Sequence, residues 1–482
     1  MAAKDFIVAI ELGSSKMTGI AGKKNLDGSI NVLAVVKEDS SSFIHKGVVY
    51  NSDKTATCLV NIITKLKHQL KTDITQVYVG IGGQSIRSLK NVVTKNMPVE
   101  DKVTQEMVYQ LMDINRSMSY PDQEILDAAT QEYKVDNQYQ LDPVGIQCKT
   151  LEGNFLNILC RKSFYNNLNQ CFETANINIA EIFLSPVALA NSVLTEAEKR
   201  SGCVLVDIGA STTTVCVYSK NILRHLSVLP LGSNNITKDI ASLQMEESDA
   251  EKMKLKYGCA YTENADIDNT LMLPIDAERS VESRKLIEIV ESRLQEIIEN
   301  AWYQVPSEYS DKLLGGIILT GGGANMKNIE KAFTLCTHID KIRVARFVTN
   351  TIVSTNDEIN AHNCMMNTVL ALLDKGEANC AGNAVDPNAG LFDETEEAAP
   401  KAVERKARQI GETTGGVVLT LAEKQQAEEE KRRKQEEMER QELERQREEE
   451  ERAAEERRKN SFWHKTFNGI KNFGKKIMEE EE

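Results

Sequence analysis

Near its start the chain alternates short apolar bursts with polar turns. Residues 6–10 (FIVAI) run into Glu11-Leu12-Gly13-Ser14-Ser15-Lys16, and apolar-rich stretches at 17–22 and 31–36 follow, divided by Leu26-Asp27-Gly28-Ser29. Runs of five or six such residues bounded by turn formers predict strands, here a three-stranded antiparallel meander. The same grammar returns at 203–231, where CVLVDI, a Gly209-Ala210-Ser211 turn, TTTVCVY and ILRHLSVLPL predict a second meander. Setting Glu11 on Asp207 puts Gly13 on Gly209, Ser15 on Ser211 and Lys16 on Thr212. The chain therefore carries one unit twice.

Helical spacing predicts helices at 55–70, 104–117, 162–176, 186–195 and 281–303, and a polar helical region at 236–257. Residues 84–162 read as a small α+β insert of short strands around the helix 104–117. A strand at 316–319 leads into Thr320-Gly321-Gly322-Gly323-Ala324, which is expected to open a helix near Met326. Residues 381–420, poor in aliphatic periodicity, predict a disordered linker. At 421–459 almost every residue is Glu, Gln, Arg or Lys, with opposite charges recurring at i+3 and i+4, and a single solvated helix of about 55 Å is expected, with a weak coiled coil or a frayed coil as the alternative.

At 460–482 the pattern flips. Phe462, Trp463, Phe467, Ile470, Phe473 and Ile477 recur at threes and fours, flanked by Lys465, Lys471, Lys475 and Lys476. On a helix they make one apolar stripe edged by cations, the pattern of an in-plane membrane anchor for anionic lipid, with a helix for a partner's groove as the alternative. No apolar run elsewhere is long enough to span a bilayer, so the membrane contact expected is peripheral.

Charge and cysteine usage narrow the classes. A net charge of -14 argues against a general nucleic-acid binder. Ten scattered cysteines without a CxxC pair argue for reduced thiols, not a zinc site or a disulfide frame.

If the two meanders face one another, each turn offers backbone N–H groups that small residues leave open to an anion. The candidate phosphate contacts are Gly13, Ser14, Ser15 and Lys16 in the first turn and Gly209, Ala210, Ser211, Thr212 and Thr213 in the second. Glu11 and Asp207 would hold Mg2+ through its waters, because that hard ion prefers oxygen and dehydrates reluctantly. Gly321, Gly322 and Gly323 would let the backbone approach a nucleotide. Any one of these turns also reads as an ordinary Asx-type connection. The repetition favours the phosphate reading.

The order of acidic hairpin, second acidic hairpin and glycine loop resembles the actin-like ATPase superfamily. Within it, VLTEAEKRSGCVLVDIG, ILRHLSVLPLGSNNITKDIA, SDAEKMKLKYGCA and IILTGGGANMKNI resemble the FtsA family of bacterial cell-division proteins. The resemblance covers about residues 5–375 and extends to the terminal helix. It implies an α/β, two-domain actin-like (ribonuclease-H-like) fold. The first domain would be 1–83 plus 163–197, the inserted subdomain 84–162 would serve self-association into short filaments, and the second domain would be 198–380 with a smaller lobe at 236–310.

It also implies ATP and Mg2+ as ligands, with Glu251 and Lys254 toward ribose and adenine. The C-terminal peptide of FtsZ would bind the smaller lobe near Arg293, and the terminal helix would tether FtsZ filaments to the cytoplasmic face of the membrane at the division site, with other division proteins as further partners. Departures from the superfamily pattern stand at Glu11 (commonly Asp), at Ala210 and Ser211 (commonly Gly), and at Ser185, where hydrolysing relatives place a water-orienting Glu or Gln before the proline. Slow or negligible hydrolysis is therefore expected. The competing classes are a sugar kinase, which would need a catalytic aspartate, and a chaperone-type ATPase, which would carry a peptide-binding β domain where this chain has linker.

Overall fold

The computed structural model describes residues 5–276 and 279–384. The expected charged helix at 421–459 and the terminal amphipathic helix at 460–482 lie outside them. Two β-sheets organise the described chain. From one edge, the six-stranded sheet runs Ile179–Leu184, Val77–Ile81, Ile7–Leu12, Lys16–Lys24, Ile30–Asp39 and Ile352–Val353. The nine-stranded sheet runs Gln138–Gln140, Gln123–Val135, Gln147–Arg161, Arg87–Lys102, Ile222–Leu229, Thr213–Ser219, Cys203–Ile208, Gly316–Thr320 and Ile342–Val344.

Five strands of each sheet repeat one order: an antiparallel meander whose first strand continues into two parallel neighbours. The repeat read from the turns is thus a repeat of architecture. Strand Cys203–Ile208 shows why its sequence is a nearly unbroken apolar run. Cys203 and Leu205 enter one core while Val204, Val206 and Ile208 enter another, so both faces are covered. The first core is closed by helices Ser52–Leu70, Ser185–Val193 and Asn367–Lys375, the second by Ser233–Ala241, Ser283–Tyr303 and Ile329–Thr337.

Several expectations need correcting. Helix Ser52–Leu70 starts three residues early because the Asn51 side chain caps it, accepting from Lys54 N–H at 2.9 Å. The polar region 236–257 is two helices, Ser233–Ala241 and Glu247–Tyr257, separated by a turn in which Gln244 takes φ +64°. The insert contains long strands of 16, 13 and 15 residues. Much of Arg87–Lys102 is exposed, with Val93 its one buried residue, so its apolar pattern is too broken to read as one strand. The glycine loop makes a short 3-10 turn, Gly322–Asn325, and the α-helix opens only at Ile329.

Nor does the packing of the second domain persist to 380. From Ala345 onward the chain joins the first core through Val348, Ile359, Met366 and Val369. Strand Ile352–Val353 pairs with Ile30 and Asn31, and Ala381–Ala384, expected as linker, pairs with Thr72–Ile74. One consequence is symmetrical: the third strand of each meander has part of its outer edge paired with a segment from elsewhere. Ile30–Asp39 receives Ile352–Val353, and Ile222–Leu229 receives Arg87–Lys102 of the insert. Covered edges do not template pairing with other chains.

Candidate nucleotide and cation site

Glu11 and Asp207 end the first strands of the two meanders in equivalent settings. Glu11 lies opposite Thr18 in its hairpin and beside Gly80 of the parallel strand; Asp207 lies opposite Thr214 and beside Thr320. Both side chains are half-buried. Desolvation, followed by the charge of Asp207 and opposed by Lys37, pushes the Glu11 carboxyl up to about 8. Burial pushes Asp207 up to about 6. The charge of Asp207 therefore reaches Glu11, burial disfavours the charged form of both, and a cation would relieve both.

Among the described residues no three His, Cys, Asp or Glu side chains cluster into a metal cage. Two carboxylates can hold Mg2+ through its waters, since that ion is seldom held by all-protein cages. Lys37 escaped the sequence reading. It faces Thr18 in register, which in turn faces Glu11, and pairs with Glu358 at 2.7 Å. Strand register, once known, is the signal that finds it.

Neighbouring segments hold both turns in shape. In the first, the Ser14 hydroxyl accepts from Gly47 N–H at 2.7 Å, and Ser40 donates its hydroxyl to Gly13 C=O at 2.6 Å and its N–H to Ser15 C=O at 3.1 Å. Ser14 keeps its own proton to donate. Ser15 is half-buried and Lys16 exposed at the head of its strand. In the second turn, Gly209 N–H donates to Thr212 C=O at 2.8 Å, while Ser233 and Asn234 N–H donate to Gly209 C=O and Ala210 C=O at 3.0 and 2.7 Å. Pinning the carbonyls to the start of helix Ser233–Ala241 fixes the orientation of the turn.

Ser211 Oγ is buried and has no hydrogen-bond partner. Leaving a hydroxyl so costs about 1–3 kcal/mol, which an acceptor such as a phosphate oxygen would recover. Thr212 is half-buried beside it. Thr213 differs from its neighbours: the side chain is fully buried and its hydroxyl donates to Leu231 C=O at 2.9 Å, so that donor is spent within the fold.

The glycine loop abuts the second acid. A Cβ on Gly321, whose φ is +83°, would lie 2.2 Å from Asp207 Oδ1, and one on Gly323 would lie 2.4 Å from Ile208 Cγ2. Only glycine permits this approach. Gly322 is exposed, and a Cβ there would meet only Met365 Cγ, at 3.8 Å.

Glu251 and Lys254 join the site through its support. Lys254, buried, donates to Thr237 Oγ1 at 2.8 Å and Ser233 C=O at 3.2 Å and pairs with Glu251 at 2.7 Å, while Thr237 donates to Glu251 at 2.5 Å. The pair thus braces the helix that pins the second turn. Arg293 lies elsewhere, bridging Asp239 and Glu296 from helix Ser283–Tyr303. Ser185, buried, opens its helix beside Gly80, where an added Cβ would meet Ser185 Oγ at 2.7 Å. The membrane candidates Phe462 to Ile477 fall outside the described residues, and among those described no helix is long and apolar enough to cross a membrane.

Residues 204–365 match the family described as "Cell division protein FtsA", and residues 83–159 match the SHS2 domain inserted in FTSA. The cell division protein FtsA of Porphyromonas gingivalis is 32% identical over 360 residues, covering 72% of this chain and 75% of that protein. Its counterpart in Pseudomonas aeruginosa is 30% identical over 329 residues, covering 67% and 78%. Among solved structures, a chain of the PilM-PilN type IV pilus biogenesis complex superposes with a TM-score of 0.54 at 14% identity, covering 79% of this chain and 99% of that one. That likeness concerns the fold, which is actin-like with an inserted subdomain. On the sequence relatives, the chain belongs to the FtsA family of cell division proteins.

Proposed function

We propose that this protein binds ATP with Mg2+ between its two meander turns and tethers FtsZ filaments to the cytoplasmic face of the membrane at the division site. The observation that carries the nucleotide reading is the pair of carboxyls raised by burial, Glu11 further by the charge of Asp207, together with a buried hydroxyl in the second turn, Ser211 Oγ, that lacks a partner. Glu11 and Asp207 would hold the ion through its waters, and a bound Mg2+ would neutralise phosphate charge. Ser14, Ser15, Lys16, Ser211 and Thr212 orient the phosphates, and Gly321 to Gly323 admit the nucleoside.

Ser185 offers no carboxylate or amide to orient an attacking water, so turnover is slow or absent and the nucleotide acts as a conformational ligand. The inserted subdomain serves self-association. Support for a peptide site on the smaller lobe is a pocket of about 430 Å3 lined by Tyr257, Tyr261, Leu286, Ile287, Lys327 and Lys331. The FtsZ tail would bind this lobe, with Arg293 on helix Ser283–Tyr303 and this pocket as its contacts. The segment 460–482 provides the lipid contact.

Calorimetric titration of Mg-ATP into the wild type and Asp207→Asn, with phosphate release followed in parallel, tests the core of this reading. Tenfold or greater weakening in the variant is expected, as for loss of a group worth about 1.4 kcal/mol or more. Equal affinities would reduce Asp207 to a turn residue.

A further inference from the structure

The inserted subdomain is a branch of the first domain by sequence, yet its sheet continues into the second. Arg87 pairs with Ser227 across the two domains, and Ser88 replaces the next rung of the ladder with its side chain: the hydroxyl donates to Leu226 C=O at 3.0 Å and accepts from Leu226 N–H at 2.8 Å. Gln131 extends the seam, donating to Leu223 C=O at 2.9 Å and accepting from the buried Arg224 at 3.3 Å. Lys90 pairs with Glu308 and lies over the ring of Tyr309. Hydrogen bonds of this kind contribute little each in net terms and a half-exposed ion pair less, while Leu223 and Leu226 share one core with Leu126, Leu156 and Ile158 of the insert, so release would also expose apolar side chains.

The root of the same insert touches the first phosphate turn. Gly47, whose N–H holds Ser14 Oγ, packs so closely on the insert's entry that a Cβ there would lie 2.6 Å from Gly83 Cα, and Gln84 N–H donates to Lys46 C=O at 3.1 Å. At its other end the seam grips Ile222–Leu229, the strand paired with Thr213–Ser219 just after the second phosphate turn. One element therefore contacts the supports of both turns. If the two halves move relative to one another, the insert must slide along the seam or leave it.

We propose that the insert is a latch on cleft closure: docked on Ile222–Leu229 it favours the nucleotide-bound arrangement, and its release accompanies opening. By linkage, nucleotide then biases whether the insert is docked, and docking biases nucleotide affinity by the same factor. This rests on the nucleotide-binding reading above and adds the device through which a ligand would act on the insert.

The test is a disulfide between Arg87→Cys and Ser227→Cys, positions that face one another in antiparallel register and so lie within bridging distance. Of the ten natural cysteines only Cys259 and Cys336 are not buried, and wild type treated with the same oxidant controls for them. Mg-ATP affinity is measured by calorimetry on the oxidised and reduced double variant. The latch requires the oxidised form to bind measurably tighter than the reduced one, with a gain bounded by the inverse of the docked fraction in the free reduced protein. Binding with equal or lower affinity on oxidation overturns the latch and leaves nucleotide binding standing. Failure of the pair to crosslink overturns the docked seam. If no form, wild type included, binds Mg-ATP, the nucleotide reading falls and the latch with it.

Discussion

Gly321→Ala should damage the protein far more than the same change one residue later. At Gly321 the backbone takes φ +83°, which costs an alanine about 1–2 kcal/mol. Its Cβ would also stand 2.2 Å from Asp207 Oδ1 and 2.6 Å from Ile208 C=O, so a carboxylate and a strand end must both shift. Adding a similar amount for overpacking gives a loss of about 2–4 kcal/mol. In a unit of this size each kcal/mol moves Tm by about 1 °C, so melting should fall by roughly 2–5 °C. Displacing Asp207 should also cost Mg-ATP affinity. Gly322→Ala meets only Met365 Cγ, at 3.8 Å, and should leave melting unchanged, with Gly323→Ala between the two. Thermal unfolding and calorimetric titration of the three variants decide the matter. Equal behaviour of Gly321→Ala and Gly322→Ala would refute the close approach of loop and acid.

Raising the pH should destabilise the metal-free protein from about pH 4.5 through about 8, because the folded state retains a proton on Glu11 that the unfolded chain gives up; Glu11→Gln should flatten that slope in urea titrations. The opposite sign holds at Glu198. Burial alone would raise its carboxyl, but bonds from Arg343 at 2.6 and 2.8 Å and from Thr195 hold it down at about 2. Glu198→Gln should therefore cost about 1–2 kcal/mol at neutral pH, discounted for the exposure of Arg343, and the gap from wild type should close as pH falls from about 4.5 through 2. Deleting residues 461–482 should move the protein from the pellet to the supernatant when it is sedimented with anionic liposomes, and unchanged pelleting would remove the anchor from the proposed function.

The meanders and their acids were legible because everything that defines them is local: apolar runs, turn formers, and an acid at a strand end. Relations between distant segments were not. Nothing in the three threonines 212–214 tells that Thr213 spends its hydroxyl on Leu231, since that depends on how the third strand leaves the sheet. The pinning of the second turn by Ser233 and Asn234 was missed because 236–257 reads as one polar helix, whereas the break after Ala241 lets Lys254 fold back to Ser233. The return of residues 345–384 to the first core is likewise hidden, because strands of two to four residues, Ile352–Val353 and Ala381–Ala384, carry no periodicity of their own. The seam joins residues about 140 positions apart, beyond the range of any pattern in a window.

The covered third strands bear on any attempt to take this molecule apart. A fragment that stops before residue 352 unpairs Ile30 and Asn31, and excision of 84–162 unpairs Ser227 and bares the backbone groups of Leu226 and Leu223 that Ser88 and Gln131 hold. Such a piece would seek a substitute strand from its neighbours in the tube, so clumping of a truncated preparation would report a missing cover, not an error in the cut domain's own folding.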